Sequence, residues 1–258
     1  MEIKLRPRNI IVVGGGTGIG LASAQKFLEL GAQNIILASR NIDKIKASAG
    51  KLLDEKAVHC MQFDIADVSS HQGFLQEVTN KIGEIPDGLC ISSGVNFDGS
   101  NWKGFNISEH DYDYVMDINL KGPFFLIRNF SNYLFSNSVK GNICVVSSIS
   151  AHRDLLSCYQ ITKNALSGIV HCYGKHLSQR GIILNCVEPG STDTEMMKHL
   201  RAFTDGIRPG KPWGDNSLGR VLRTEEIAEV IAFLMSNLGE VMAGSCILAG
   251  GGCKTISR

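Results

Sequence analysis

The sequence predicts a doubly wound α/β fold, a seven-stranded parallel sheet with helices on both faces. Three observations predict it. Short apolar runs alternate with helical periodicities along the chain. The runs lack a polar face, as strands buried on both sides do. A cluster of glycines stands between the first run and the first helix. Strands that alternate with helices through right-handed crossovers leave helices on both sides of a parallel sheet.

Residues 9–13 form a β-branched run that ends in glycines, and residues 21–30 then repeat apolar side chains at helical spacing until Gly31. Residues 34–38 predict a second strand, 43–53 a polar helix and 58–63 a third strand. Further strands are expected at 88–92, 142–147, 182–187 and 246–249, with helices at 68–82, 109–135, 159–179 and 224–237. The least regular stretch is 190–219, which contains Pro209, Gly210, Pro212 and Gly214. Ligands bind beyond the carboxyl ends of such strands, so this stretch is a candidate substrate cover; an ordinary surface excursion is the alternative. No repeat, low-complexity tract or Pro/Gly/Ser-rich linker divides the 258 residues, and one domain is expected.

Composition narrows the function. With 43% hydrophobic and 20% charged residues and a mean hydropathy of +0.03, the chain has material for a large core. A formal net charge of +1 without a Lys/Arg block gives no field to hold nucleic acid or a membrane surface. No continuous apolar run is long enough to cross a bilayer. Of the eight cysteines, Cys90, Cys144, Cys186 and Cys246 sit in apolar runs, and no CxxC pair occurs, so neither a metal nor a disulfide framework is expected. Residues 1–8 are short and charged, with no signal-like segment, and a reducing cytoplasm is the expected compartment.

The candidate chemistry begins at Gly14, Gly15, Gly16, Thr17, Gly18, Ile19 and Gly20. Between a strand and a helix, these glycines let the backbone approach a pyrophosphate while the helix N-terminus faces the anion; a plain tight turn also uses glycine. At the end of the second strand, where a carboxylate would select the free ribose of NAD(H), the chain reads Ala38, Ser39, Arg40, Asn41. Arg40 and Ser39 suit a 2′-phosphate, so NADP(H) is the expected cofactor. Asp64 suits an adenine amino group, or else caps the helix starting near Val68. Tyr159 and Lys163, four apart on a predicted helix, share a face; a cation beside a phenol favours its ionised form and so suits acid–base chemistry.

Over nearly its whole length the chain resembles the short-chain dehydrogenase/reductase family. The family's TGxxxGxG turn matches Val13 to Gly20, and its YxxxK pair matches Tyr159 and Lys163. Its mid-helix asparagine matches Asn119 in Asp117-Ile118-Asn119-Leu120-Lys121-Gly122, and its serine matches Ser148 after Val146-Ser147. Its NxVxPGxxxT segment matches Asn185-Cys186-Val187-Glu188-Pro189-Gly190 followed by Thr194.

The resemblance implies a Rossmann-type fold and a tetrad. Ser148 holds a carbonyl oxygen, Tyr159 donates a proton, Lys163 tunes Tyr159 and bonds the nicotinamide ribose, and Asn119 holds a relay water. It also implies cofactor contacts from Gly14, Gly16, Thr17, Gly18, Ile19, Ser39, Arg40, Asp64 and Ile65. Ser93, Gly94, Tyr159, Lys163, Pro189, Gly190, Thr192 and Thr194 complete that set, with Thr194 near the carboxamide and Val187 packing near the nicotinamide.

The chain departs from the family pattern at three places: Ile91-Ser92-Ser93-Gly94 replaces NNAG, Val13 replaces the opening threonine, and the interval from Ser148 to Tyr159 is short, leaving Ser147 and Ser150 as alternative partners. The expected activity is NADP(H)-dependent interconversion of a carbonyl and a secondary alcohol on a small molecule. A 3-oxoacyl-carrier-protein reductase and a non-catalytic NADP-binding sensor are the alternatives, and a homotetramer or homodimer is the expected assembly.

Overall fold

The computed structural model describes residues 3–52, 55–96, 107–153, 157–197 and 216–253. Seven strands form one parallel sheet: β1 (Asn9–Val13), β2 (Asn34–Ser39), β3 (Val58–Gln62), β4 (Gly88–Ile91), β5 (Gly141–Val146), β6 (Ile182–Pro189) and β7 (Cys246–Ala249). Their order is β3-β2-β1-β4-β5-β6-β7, so the winding reverses between β1 and β4. Chains leaving those two strands part in opposite directions and open a crevice at their carboxyl ends.

Seven α-helices that lie wholly within the described residues flank the sheet: α1 (Gly18–Glu29), α2 (Ile42–Ala49), α3 (His71–Ile82), α4 (Glu109–Met116), α5 (Gly122–Ser136), α6 (Cys158–Ser178) and α7 (Thr224–Leu234). On one face Ile11 and Val13 of β1 pack with Phe74 of α3, Phe130 of α5 and Leu166 of α6. On the other, Ile10 and Val12 pack with Phe27 of α1, Ile45 of α2 and Ile231 of α7. Alternate residues of a strand thus enter two separate cores, which is why the strand sequences are apolar without interruption. Serines cap the helices that carry the site: Ser108 Oγ accepts the Asp111 N–H at 3.1 Å, and Ser157 Oγ accepts the Gln160 N–H at 3.1 Å.

The helix expected at 109–135 is not continuous. A π turn, Asp117–Lys121, separates α4 from α5, and the Gly122 N–H bonds back five residues to the Asp117 carbonyl. Pro123 explains the shift, because it lacks the N–H that a regular ladder would direct to the carbonyl of Asn119. The extra residue falls on Asn119, and such π turns often accompany functional sites. The helix expected at 68–82 likewise splits into a 3₁₀ turn, Val68–Ser70, and α3.

His71, the first residue of α3, is fully buried. Its Nε2 lies 2.9 Å from the Ile65 carbonyl, Nδ1 has no partner, and the ring tilts against Phe63. Burial lowers its pKa below the ordinary histidine value of 6.5, partly opposed by the Ile65 bond. As pH falls below that value, the unfolded chain takes up a proton that the folded imidazole does not. Stability is therefore whole above pH 6.5 and is lost as pH drops toward the folded value. Thermal melts between pH 7 and 5 should show a steeper loss for the wild type than for His71→Gln; parallel curves would reject this assignment.

Candidate active site

A cleft of about 850 Å³ opens where β1 and β4 diverge, within the roughly 300–1,000 Å³ of typical ligand sites. Its floor is the glycine turn after β1. Gly14 has φ +80°, and a Cβ there would lie 2.7 Å from the Ser93 N. A Cβ on Gly20 would collide with the Gly14 carbonyl, so both positions require glycine for the turn to close. Thr17 precedes α1 without a side-chain cap bond, and the first turn of α1 holds no acid. Its positive end therefore faces the cleft uncompensated, beside Gly18 and Ile19, whereas Gly16, expected there, does not line the cleft and backs onto Ile45 of α2.

On one wall Ser39 and Arg40 leave β2. The Arg40 Nη2 donates to the Tyr114 hydroxyl at 3.2 Å, and its guanidinium lies 5.8 Å from that ring's centroid. Tyr114, on α4, thus holds the arginine in place, a support that sequence spacing did not reveal. Lys44 of α2 reaches across to Glu195 at 2.6 Å and ties this wall to the segment after β6. Asp64 lines the cleft, but it does not cap the turn at Val68. Its carboxylate accepts the Ala66 N–H at 3.0 Å, while Asp67 accepts the Ser69 N–H at 3.1 Å and is the cap. The reason is reach: β3 ends at Gln62, and Asp64 lies one turn too early. Ile65 is buried beside it.

Opposite stand Ser93 and Gly94, Pro189 at the end of β6, and Gly190, Thr192 and Thr194 after it. The Thr192 hydroxyl donates to the Gly190 carbonyl at 3.0 Å, and a Cβ on Gly18 would sit 3.2 Å from the Thr194 methyl. Val187 packs in the α1 and α7 core with no exposure. Ser93 Oγ is buried at the cleft without a partner. That orphaned hydroxyl and a glycine-lined cradle under a helix N-terminus fit a dinucleotide. Of the expected cover at 190–219, residues 198–215 lie outside the described residues.

At the inner end of the cleft, α6 presents Tyr159 and Lys163 on one face. Ser148 follows β5 and opens a 3₁₀ turn, Ile149–His152; its Oγ accepts the Ser150 N–H at 3.1 Å and is hydrogen-bonded to the Tyr159 phenol. Ser147 points the other way and donates to the Lys163 carbonyl at 2.9 Å inside the core. Strand alternation thus sends consecutive serines to opposite sides. Of the three candidates, the structure brings Ser148 to Tyr159 despite the short interval.

Burial pushes the Tyr159 phenol upward, and the Ser148 bond pulls it partly back. Lys163 is 3% exposed, and its Nζ donates to the Val146 carbonyl at 3.0 Å and lies 5.5 Å from the Tyr159 ring centroid. Burial pushes this amine down to about 8. The neighbour that lowers the phenol is thus Ser148, where the sequence pointed to Lys163.

Asn119, brought inward by the π turn, donates to the Val95 carbonyl and accepts the Val95 N–H, each at 2.8 Å. Its Nδ2 also lies 3.4 Å from Thr162 Oγ1 on α6. The chain at Gly94 passes close to both Lys163 and Asn119, since a Cβ there would stand in ordinary contact with Lys163 Nζ at 3.4 Å and Asn119 Oδ1 at 3.5 Å. These bonds fasten the exit of β4, the place where Ile91-Ser92-Ser93-Gly94 lacks the family's two asparagine amides.

No helix among the described residues is long and apolar enough to cross a membrane. A family model described as enoyl-(acyl carrier protein) reductase matches residues 14–254. Galactitol 2-dehydrogenase of Agrobacterium fabrum is 27% identical, over 91% of this chain and 92% of that protein. The 3-oxoacyl-[acyl-carrier-protein] reductase of Aquifex aeolicus is 29% identical, over 98% and 99%. A solved structure described as ribose-5-phosphate isomerase from Brucella melitensis 16M superimposes with a TM-score of 0.84 at 24% identity, over 97% of this chain and 93% of that one, a likeness that shows the fold alone. With motif order, seven-stranded parallel sheet and a match across most of its length in agreement, the chain belongs to the short-chain dehydrogenase/reductase family of oxidoreductases.

Proposed function

We propose that the protein is an NADP(H)-dependent oxidoreductase that interconverts a small-molecule carbonyl and a secondary alcohol. The observation that carries this reading is the buried Tyr159 phenol, hydrogen-bonded to Ser148 and one helical turn from Lys163, at the inner end of a dinucleotide-sized cleft. When bound, the nicotinamide supplies or accepts the hydride.

In the reducing direction the Ser148 hydroxyl donates a hydrogen bond to the carbonyl oxygen and polarises it. Tyr159 transfers its phenolic proton to that oxygen as the carbon gains the hydride, so the C=O double bond becomes a C–OH single bond. The phenolate left behind is favoured by its bond to Ser148. With a pKa pushed down to about 8, Lys163 gains and loses a proton close to neutrality and suits the relay that restores the phenol. Asn119 keeps the β4 exit and α6 in register around that amine.

Cofactor choice rests on Arg40 and Ser39 standing where NAD(H) enzymes carry an acid. Tyr114 holds the guanidinium at that wall. The two relatives, a galactitol 2-dehydrogenase and a 3-oxoacyl-[acyl-carrier-protein] reductase, are named for activity at a secondary alcohol or its ketone, which supports the reading.

NADPH oxidation over a panel of ketoses, diketones and 3-oxoacyl thioesters tests the reading: turnover on one class supports it and names the substrate. Tight NADPH binding without turnover on any member favours the sensor. Arg40→Asp should weaken NADPH binding about 10- to 100-fold, the worth of one or two charge-assisted bonds, and spare NADH. A wild type that prefers NADH would overturn the Arg40 assignment.

A further inference from the structure

Glu188 lies near the end of β6, 2% exposed, and the chemistry above does not use it. Its oxygens are divided between two other elements. Oε2 pairs with His152 Nε2 at 2.6 Å, and Oε1 accepts from Ser167 Oγ at 2.6 Å. His152 ends the 3₁₀ turn that Ser148 opens. Ser167 stands one turn beyond Lys163 on α6, and its hydroxyl lies 3.1 Å from both the Ser147 Oγ and the Lys163 carbonyl. One carboxylate therefore grips the turn that presents Ser148 and the helix that presents Tyr159.

The surroundings make that grip strong. A carboxyl group this deep is tolerated only when it is hydrogen-bonded, and both Glu188 oxygens are. Among the described residues, His152 is the basic group in ion-pair contact with Glu188. The other ionisable groups facing it are the thiols of Cys186 and Cys246, whose sulfurs and a Glu188 oxygen lie within 4.8 Å of one another. Burial pushes the Cys186 thiol well above its ordinary range, so it stays protonated, and both Glu188 oxygens are already engaged. This trio, created by the pairing of Cys186 with Cys246 across β6 and β7, is packing around the carboxylate and not a metal set.

We propose that Glu188 is a positioning residue of the reaction centre. By holding His152 and Ser167 at once it draws the Ser148 turn onto α6 and so sets the hydrogen bond between Ser148 and Tyr159. Its effect on turnover rests on the carbonyl–alcohol reading above; its effect on that hydrogen bond does not.

Protein labelled with ¹³Cζ tyrosine reports the bond directly at pH 7, with Tyr159→Phe assigning the resonance and Ser148→Ala giving its position when the bond is lost. Glu188→Gln and His152→Gln should each move the Tyr159 signal toward the Ser148→Ala position. On whichever carbonyl the wild type reduces, kcat should fall about tenfold, equivalent to about 1.4 kcal/mol, with the KM for NADPH unchanged. His152 is partly exposed, so its variant serves if Glu188→Gln does not fold. A Tyr159 resonance at the wild-type position in either folded variant overturns the proposal. If the resonance moves while the wild type reduces no carbonyl, the positioning role stands and the enzymatic reading falls.

Discussion

Replacing Tyr159 with phenylalanine should lower turnover by about 10²–10⁴-fold, the usual contribution of a positioned general acid, and leave NADPH binding nearly intact. The phenol is enclosed at the inner end of the cleft and bonded to Ser148, so the ring contributes packing that phenylalanine retains, and the lost atom is the one that carries the proton. The glycine turn, the β2 end and the segment after β6, over which the proposed cofactor contacts are spread, line the cleft and are not touched by the substitution. Burial raises the phenol's pKa, so near neutrality Tyr159 is protonated and ready to act as an acid. Stopped-flow measurement of NADPH oxidation, with binding followed separately by cofactor fluorescence, checks both halves. Turnover within tenfold of wild type would show that another group moves the proton.

Lys163→Met should be inactive yet more stable than the wild type at pH 7. The amine is buried against the Val146 carbonyl, with no carboxylate among the described residues bonded to it, and its pKa falls from 10.5 to about 8. A drop of that size corresponds to roughly 3 kcal/mol of destabilisation whenever the amine is charged in both folded and unfolded states. The penalty is complete below pH 8. It shrinks as pH rises from 8 to 10.5, where the folded amine is already neutral and the unfolded one is not. Methionine removes the charge at similar volume and leaves one carbonyl bond unmade, a loss of about 1 kcal/mol. The expected net gain is about 2 kcal/mol at pH 7; it crosses zero near pH 10, where the shrinking penalty equals the lost carbonyl bond, and becomes a loss approaching about 1 kcal/mol above pH 10.5. Urea unfolding of both proteins across that range measures it, and a variant less stable than wild type at pH 7 would contradict the assigned burial.

That opposition between activity and stability could not be read from residue spacing, although the residues could. Tyr159 and Lys163 were visible as an i, i+4 pair, whereas the depth of the amine depends on β5 supplying a carbonyl 17 positions earlier in the chain. The strands were legible because both faces of each enter a core, leaving unbroken apolar runs. The break at Asp117–Lys121 was missed because side-chain periodicity persists through it; its signal was Pro123, read as part of the helix instead of as a missing donor. The choice among Ser147, Ser148 and Ser150 needed the direction in which β5 ends. Asp67 takes the capping role that the sequence offered to Asp64, because β3 ends at Gln62, one residue earlier than expected. Glu188, His152 and Ser167 lie far apart in sequence and carry no shared motif, so folding alone reveals their connection.

The irregular turn before α5 bears on how this scaffold can be altered. Substituting alanine for Pro123 is the kind of change that ordinarily strengthens a helix, since it restores a backbone donor and removes a ring clash. Here a tighter winding would turn every preceding residue by roughly 100° about the axis, the rotation of one residue, and swing the Asn119 amide off the Val95 backbone. Improving the helix and keeping the reaction centre assembled are opposed aims in this chain, and any effort to make the protein more heat-resistant should leave that imperfection where it is.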